Sequence, residues 1–426
     1  RLRLLANDSK FQRPGFRPLR TNLPCDFTGG TDLAGMLHAN GARTVLVFGD
    51  GAVPPGYDAA VVCLKSRSVA PAAAIRMSVD ALTRLRAHHP RQIYFKYCST
   101  FDSTPKGNIG PVTDALLNEL GEPFTLAVPA LPVNGRTQYL GHLFVNGVPL
   151  HESPLRNHPL NPMTDTNLVR WLGRQTPSRV GLLRLPAVVD DLAAEALRLQ
   201  SDGIEIALAD VVSDADLDAL ADAFVDRPLL TGGSGLGISL PRVWKRRGWL
   251  TATVPVADPS IAGPALLLAG SCSAATLAQL QRLGGQQASI DAAALLSDAE
   301  TETGRVLKEA RRQIREQGHA VIRSSATAEE REATGLNARI VAEELETLFG
   351  VIAATLAGDI TRLIVAGGET AGAVTAALGV EAAEVMHSID SGVPAIRPVN
   401  GPALTLVLKS GNFGGADFFR KALDNT

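Results

Sequence analysis

The chain has 426 residues, long for one domain, so two domains are the natural division. Hydrophobic residues make up 45% and charged residues 20%, the balance of a compact folded protein rather than a disordered one. A formal net charge of −2 and an aromatic content of 5% exclude a general pull toward nucleic acid or an anionic membrane, and exclude a base-stacking platform.

No apolar run approaches the roughly 20 residues of a membrane span, and no continuous apolar core of a secretory signal opens the chain. The cysteines, Cys25, Cys63, Cys98 and Cys272, are far apart and form no C-x-x-C pair. Neither a disulfide framework nor a zinc site is expected, and a reducing cytoplasm is the simplest compartment. His142, His151 and His158 match no metal-ligand spacing, and no metal ligand is assigned.

Residues 1–24 have five arginines, prolines and no clean period, and no structure is expected there. Cys25–Asp32 (CDFTGGTD) is a loop of hydroxyls and carboxylates opening a helix in which Leu33, Met36 and Leu37 recur. Asp26 and Thr28 there suit ligand contact or plain helix capping. Thr44–Phe48 and Ala59–Leu64 read as strands. The second runs into Lys65-Ser66-Arg67, two cations placed for a carboxylate or phosphate, or else a solvated pair. Gln92–Tyr97 is a further strand. Its turn brings Lys96, Ser99, Thr100, Asp102 and Lys106: cations for an acid, hydroxyls for a sugar and a carboxylate to take a proton. Short apolar runs then alternate with helical segments to Arg227–Leu230, which ends in TGGSG. The pattern indicates a mainly parallel sheet. The TGGSG glycines read as letting backbone approach a ligand.

Thr253–Pro264 is proline-rich and aperiodic, the best boundary between a domain at 25–252 and one at 265–426. The second half repeats one device, a strand running into a serine- or glycine-rich turn. Ala265–Ala269 leads to Gly270-Ser271-Cys272-Ser273, and Ala320–Ile322 to Arg323-Ser324-Ser325. Leu363–Ala366 leads to Gly367-Gly368-Glu369-Thr370, and Ala403–Leu408 to Lys409-Ser410-Gly411. Such turns make a phosphate cradle, because small residues let backbone N–H groups approach and hydroxyls donate. P-loop, protein-kinase and dinucleotide-fold fingerprints are absent.

DFTGGTDLAGML, LKSRS, IYFKYCSTFDSTPKGNIGPVTDAL, GHLFVNG, TGGSG, AGSCS, AGGETAGAV and LKSGNFGGADFF run in order over about residues 26–420. In this order the chain resembles the four-carbon acid sugar kinases. STFDSTPKGN, where threonate and erythronate kinases tend to carry a lysine–aspartate–serine–threonine–leucine–arginine–glycine run, favours the branch acting on 3-oxo-tetronate. The resemblance implies an α/β fold of two domains, each a mainly parallel sheet flanked by helices, with the active site in the cleft between them. It implies an N-terminal acid-sugar domain, a C-terminal nucleotide domain, and ATP with Mg2+ phosphorylating a terminal hydroxyl. Nucleotide contacts would come from Ser271, Gly367, Gly368, Glu369, Thr370 and Gly411, beside Ser273 and Ser410 of the same turns. Sugar-acid contacts would come from Asp26, Lys65, Arg67, Lys96 and the turn to Asp102, with Asp26 or Asp102 as the base. The chain departs from the family at PLRTNLP, where an apolar first strand is usual, and at Pro24-Cys25, where Ala-Asp is usual. A threonate or erythronate kinase, or a binding protein that has lost its chemistry, is the alternative. The expected partner is a small sugar acid, not nucleic acid or membrane, and a homo-oligomer is compatible.

Overall fold

A computed structural model describes residues 20–24, 27–67, 69–158, 161–185, 191–250, 262–324 and 338–424, with backbone alone for 20–24, 27, 28 and 338. In chain order the first-half strands are β1 (Arg20–Pro24), β2 (Thr44–Phe48), β3 (Ala59–Cys63), β4 (Ile93–Lys96) and β5 (Thr125–Val128). A small antiparallel sheet follows: β6 (Arg136–Tyr139), β7 (His142–Val145) and β8 (Val148–Pro149). Then come β9 (Val180–Leu183), β10 (Ile206–Ala209) and β11 (Leu229–Gly232). The second half holds β12 (Ala265–Ala269), β13 (Ala288–Ile290), β14 (His319–Ser324), β15 (Arg362–Ala366), β16 (Ala382–Asp390), β17 (Val393–Pro398) and β18 (Thr405–Lys409).

Among the described residues, fifteen of these strands form one sheet, ordered β13-β14-β12-β15-β18-β17-β16-β2-β3-β1-β4-β11-β5-β10-β9. Each half contributes a parallel block, and antiparallel β16 and β17 join the blocks edge to edge. The strands β2, β3 and β12 are buried at every position. That is why they read as unbroken apolar runs: a parallel strand covered by helices on both faces has no solvent side.

The first strand is present. Arg20–Pro24 pairs in parallel with β3 on one side and β4 on the other, although its sequence lacks the usual apolar run. Two ladders of backbone hydrogen bonds hold a segment whose own residues give little strand signal. Residues 253–261 of the proposed linker lie outside the described residues, as does Ser325.

The TGGSG turn differs from the expectation. A Cβ on Gly232 would run into the Val128 carbonyl, one on Gly233 would stand 2.5 Å from the Pro129 carbonyl, and one on Gly235 would meet that of Ala130. The glycines admit the neighbouring protein backbone rather than a ligand.

No helix among the described residues is long and apolar enough to cross a membrane.

Candidate active site

In a parallel sheet the turns that follow adjacent strands lie side by side. The neighbours β3, β1, β4 and β11 thus bring together Lys65-Ser66-Arg67, the Lys96–Asp102 turn and TGGSG, with the described backbone of β1 running between them. The neighbours β12, β15 and β18 do the same for the serine- and glycine-rich turns that follow them, and β14 lies beside β12 on the other side.

The Lys96–Asp102 turn is pinned from several sides. Asn108 Nδ2 donates to the Ser66 carbonyl at 2.7 Å, fastening this turn to the Lys65–Arg67 turn. Trp171 Nε1 donates to the Ser103 carbonyl at 2.7 Å, and Gln175 Nε2 to the Thr104 carbonyl at 2.8 Å. Phe101, fully buried, takes a left-handed φ of 55°, which sets the direction of the turn. Asp102 is buried, accepts from Thr100 Oγ1 at 2.7 Å and faces Arg67 Nη1 at 3.8 Å. The predicted carboxylate grip and one predicted base are therefore paired with each other. Lys96, the last residue of β4, is buried with Nζ 4.0 Å from Asp32 Oδ2. Ser99 is half-buried, its Cα 3.3 Å from where a Cβ on Gly233 would stand. Burial pushes the Cys98 thiol up to about 11, and Asp102 adds to this. It is a neutral side chain hydrogen-bonded with Thr100 Oγ1 at 2.8 Å. Asp26 lies outside the described residues. Thr28 stands in the first turn of the helix Phe27–Ala39, with only its backbone described.

The second set of turns interlocks. Ser273 caps the helix Ala274–Leu283 and donates from Oγ to the Gly411 carbonyl at 2.7 Å. Its N–H donates to Ser271 Oγ at 3.2 Å. Gly367 opens the helix Gly368–Ala377 at a φ of 129°, a backbone conformation that L side chains rarely adopt, and its N–H donates to the Lys409 carbonyl at 2.9 Å. A Cβ on Gly270 would run into Thr370 Oγ1, and one on Gly411 into Ser271 Oγ. These turns line a cavity of about 260 Å3 that includes Ser271, Gly367, Gly368, Glu369, Thr370 and Gly411. Ser410 is half-buried beside it, its carbonyl accepting from Lys409 Nζ at 2.9 Å.

Two features of this half escaped the reading of the sequence. The far wall of the cavity is the helix Ala338–Leu356, which presents Leu345, Glu346 and Phe349. Helical spacing of Val341, Leu345, Leu348, Phe349 and Ile352 carries that signal. Burial raises the Glu346 carboxyl above its ordinary value, with the like charge of Glu369 adding to it. The second feature is Lys409, fully buried, whose Nζ donates to Thr276 Oγ1 at 3.0 Å and to the Ser410 and Gly411 carbonyls at 2.9 Å. It ties the end of β18 to the turn that lines the cavity.

One ion pair joins the two regions. Lys65 Nζ stands 2.8 Å from Glu369 Oε2, with the side chains 48% and 72% exposed. An exposed pair adds little to stability, so Lys65→Met is expected to leave the Tm nearly unchanged. The expectation from the sequence that Lys65 grips an acid's carboxylate adds a second outcome for the same variant, a KM for the acid raised about 10- to 100-fold. Melting and steady-state kinetics on the same preparation check both halves of this prediction.

The comparisons with known proteins agree over most of the chain. The family described as a sugar-binding N-terminal domain matches residues 25–240, and the nucleotide-binding C-terminal domain matches residues 266–419. A Burkholderia multivorans 3-oxo-tetronate kinase is 46% identical over 418 residues, covering 96% of this chain and 97% of that protein. Two crystal structures are similar. One is of a Salmonella typhimurium LT2 protein described as a tRNA synthase (TM-score 0.85, 39% identity, 95% of this chain and 98% of that one). The other is of a Haemophilus influenzae protein (TM-score 0.80, 36% identity, 95% and 99%). With a cation-lined set of turns in one half and a serine–glycine cradle in the other, the chain belongs to the four-carbon acid sugar kinase family, built from a sugar-binding N-terminal and a nucleotide-binding C-terminal domain.

Proposed function

We propose that the chain is an ATP-dependent kinase that phosphorylates the terminal C4 hydroxyl of 3-oxo-tetronate, giving 3-oxo-tetronate 4-phosphate. The observation that carries this reading is the Lys65–Glu369 contact at 2.8 Å, which sets a candidate sugar-acid cation against a residue of the serine–glycine cavity. Phosphoryl transfer is mostly positioning and electrostatic stabilisation, so a site divided between two sets of strand-end turns suits it.

Lys65 and Lys96 hold the substrate carboxylate, and Arg67 supports the pocket through Asp102. Thr28 and Ser99 supply hydroxyl contacts. The ATP phosphates lie on the N–H groups and hydroxyls of Ser271, Ser273, Gly367, Gly368, Thr370, Ser410 and Gly411, with the nucleoside against Leu345 and Phe349. The glycine positions fit a phosphate tail, since a side chain at 270 or 411 would fill the cradle. Among the described residues no group of three or more His, Cys, Asp and Glu could hold a metal. The cavity does offer oxygen donors, Ser271, Thr370, Glu346 and Glu369, of the kind a hard cation takes. Those residues would hold Mg2+ together with phosphate oxygens, and the ion would neutralise charge on the β- and γ-phosphates.

The chain divides into an acid-sugar domain at 25–252 and a nucleotide domain at 265–426 that close on a shared cleft and exclude water. A cytoplasmic setting suits ATP and the free thiols of Cys63, Cys98 and Cys272.

The test is ADP release from ATP, Mg2+ and 3-oxo-tetronate. Sugar-acid-dependent ADP release is the expected result, and background release from a folded sample overturns the reading. Threonate and erythronate in parallel distinguish the related kinases, which would turn those over faster.

A further inference from the structure

Two carboxylates line the serine–glycine cavity, an unfavourable lining for phosphate unless a cation offsets it. Glu346 comes from the helix Ala338–Leu356, and Glu369 from the first turn of the helix Gly368–Ala377. Burial raises the Glu346 carboxyl, the like charge of Glu369 adds to the rise, and Lys65 opposes it. Glu343, on the same helix as Glu346, adds a smaller like charge and is itself paired with Arg339 at 2.9 Å. The charges of Glu346, Glu369 and Lys65 therefore act on one another at the mouth of one cavity.

The cation at this place comes from the other half of the chain. Lys65 Nζ donates to Glu369 Oε2 at 2.8 Å. Among the described residues Glu369 has no other ion pair. The backbone that carries Lys65 is fixed, because the next carbonyl, that of Ser66, accepts from Asn108 Nδ2 at 2.7 Å. The side chain is not enclosed: it is 48% exposed, on a flexible four-carbon stem. Lys65 can thus change partner by a swing of its side chain while its turn stays in place.

We propose that Glu369 holds Lys65 back from the sugar acid until the nucleotide is bound, so that the nucleotide prepares the acid site. This deepens the kinase reading above and rests on it. When bound with ATP, Mg2+ supplies the positive charge that Glu346 and Glu369 need. Glu369 then turns from Lys65 to that charge, and the Lys65 ammonium swings to the carboxylate of the sugar acid. An acid that arrives first meets a cation already paired, with the like charge of Glu369 behind it. The pair is exposed and its hold is weak, so the change of partner costs little. Linkage makes the effect reciprocal: the acid tightens nucleotide binding by the factor by which the nucleotide tightens acid binding.

The test is calorimetric titration with 3-oxo-tetronate of the wild type and of Glu369→Gln, each free and saturated with Mg2+ and the non-hydrolysable analogue AMP-PNP. The wild type is expected to bind the acid about two- to fivefold more tightly when the nucleotide is present, the range an exposed ion pair supplies. Glu369→Gln is expected to bind the acid about two- to fivefold more tightly than wild type with no nucleotide present. Equal or weaker acid binding by the nucleotide-free variant overturns the proposal, and so does a wild type whose acid affinity ignores the nucleotide. The nucleotide-free comparison stands even where the variant binds AMP-PNP poorly. A third titration needs no variant: wild type with AMP-PNP and EDTA should bind the acid no more tightly than the free protein, and full tightening without the metal overturns the proposal. Failure of the kinase reading looks different, because 3-oxo-tetronate then binds to none of these forms.

Discussion

Gly411→Val is expected to weaken ATP binding by about 100-fold while the affinity for the sugar acid stays as it was. A Cβ at 411 would run into Ser271 Oγ and stand 2.9 Å from Ser273 Oγ and 3.1 Å from Ser273 Cβ. Ser273 cannot move away freely, because its Oγ donates to the Gly411 carbonyl and accepts from the Thr276 N–H as the cap of the following helix. Overpacking of this kind costs about 1–3 kcal/mol, and about 1.4 kcal/mol is tenfold in affinity. The two branches of valine extend the clash into the space where phosphate oxygens would lie. Calorimetric titration of wild type and variant with each ligand checks the expectation. Unchanged ATP affinity would remove the serine–glycine turns from the nucleotide site, and an equal loss for both ligands would mean a general loss of folding.

Lys409→Met is expected to loosen nucleotide binding and to flatten the dependence of stability on pH in the alkaline range. Burial pulls the Lys409 ammonium from 10.5 down to about 8. Between those values the unfolded chain binds more protons than the folded one, so this group makes stability rise with pH from about 8 to 10.5. Below pH 8 the cost of burying the charge is present in full, on the order of 3 kcal/mol. Methionine removes the titration, so the difference in unfolding free energy between wild type and variant should change sharply across that window. Urea unfolding at pH 7.5 and at pH 10 measures it, and parallel curves would show that Lys409 does not carry the shift. The variant also loses the donors to the Ser410 and Gly411 carbonyls. ATP affinity should fall about tenfold through the freed turn.

Much of the fold was legible because its strands are buried on both faces. Runs such as Thr44–Phe48 and Ala265–Ala269 contain no outward-facing position, and the structure has both as strands with the same bounds. The turns were legible because residues able to bind anions are concentrated just after strand ends. The first strand was not legible: Arg20–Pro24 owes its place to partners on both sides. The hairpin of β16 and β17 was passed over as well, since its role is to link two blocks far apart in sequence. The pairing of Arg67 with Asp102 and the approach of Asp32 to Gly392 depend on side-chain direction. No local period records that.

By itself the sequence determined the class of the chain, most of its strands and the serine–glycine turns, which follow from local composition and from periodicity along short segments. The family came from the resemblance of its motifs, taken in order along the chain. Only the tertiary structure decided that the two parallel blocks make one sheet, and that Lys65 reaches Glu369. It alone buried Lys409 beneath the Ser410–Gly411 turn and set Asp32 against Gly392 of the β16–β17 hairpin. The physical reason is common to all four: each is a contact between residues far apart in the chain, fixed by which strand edges pair and which side chains are then enclosed.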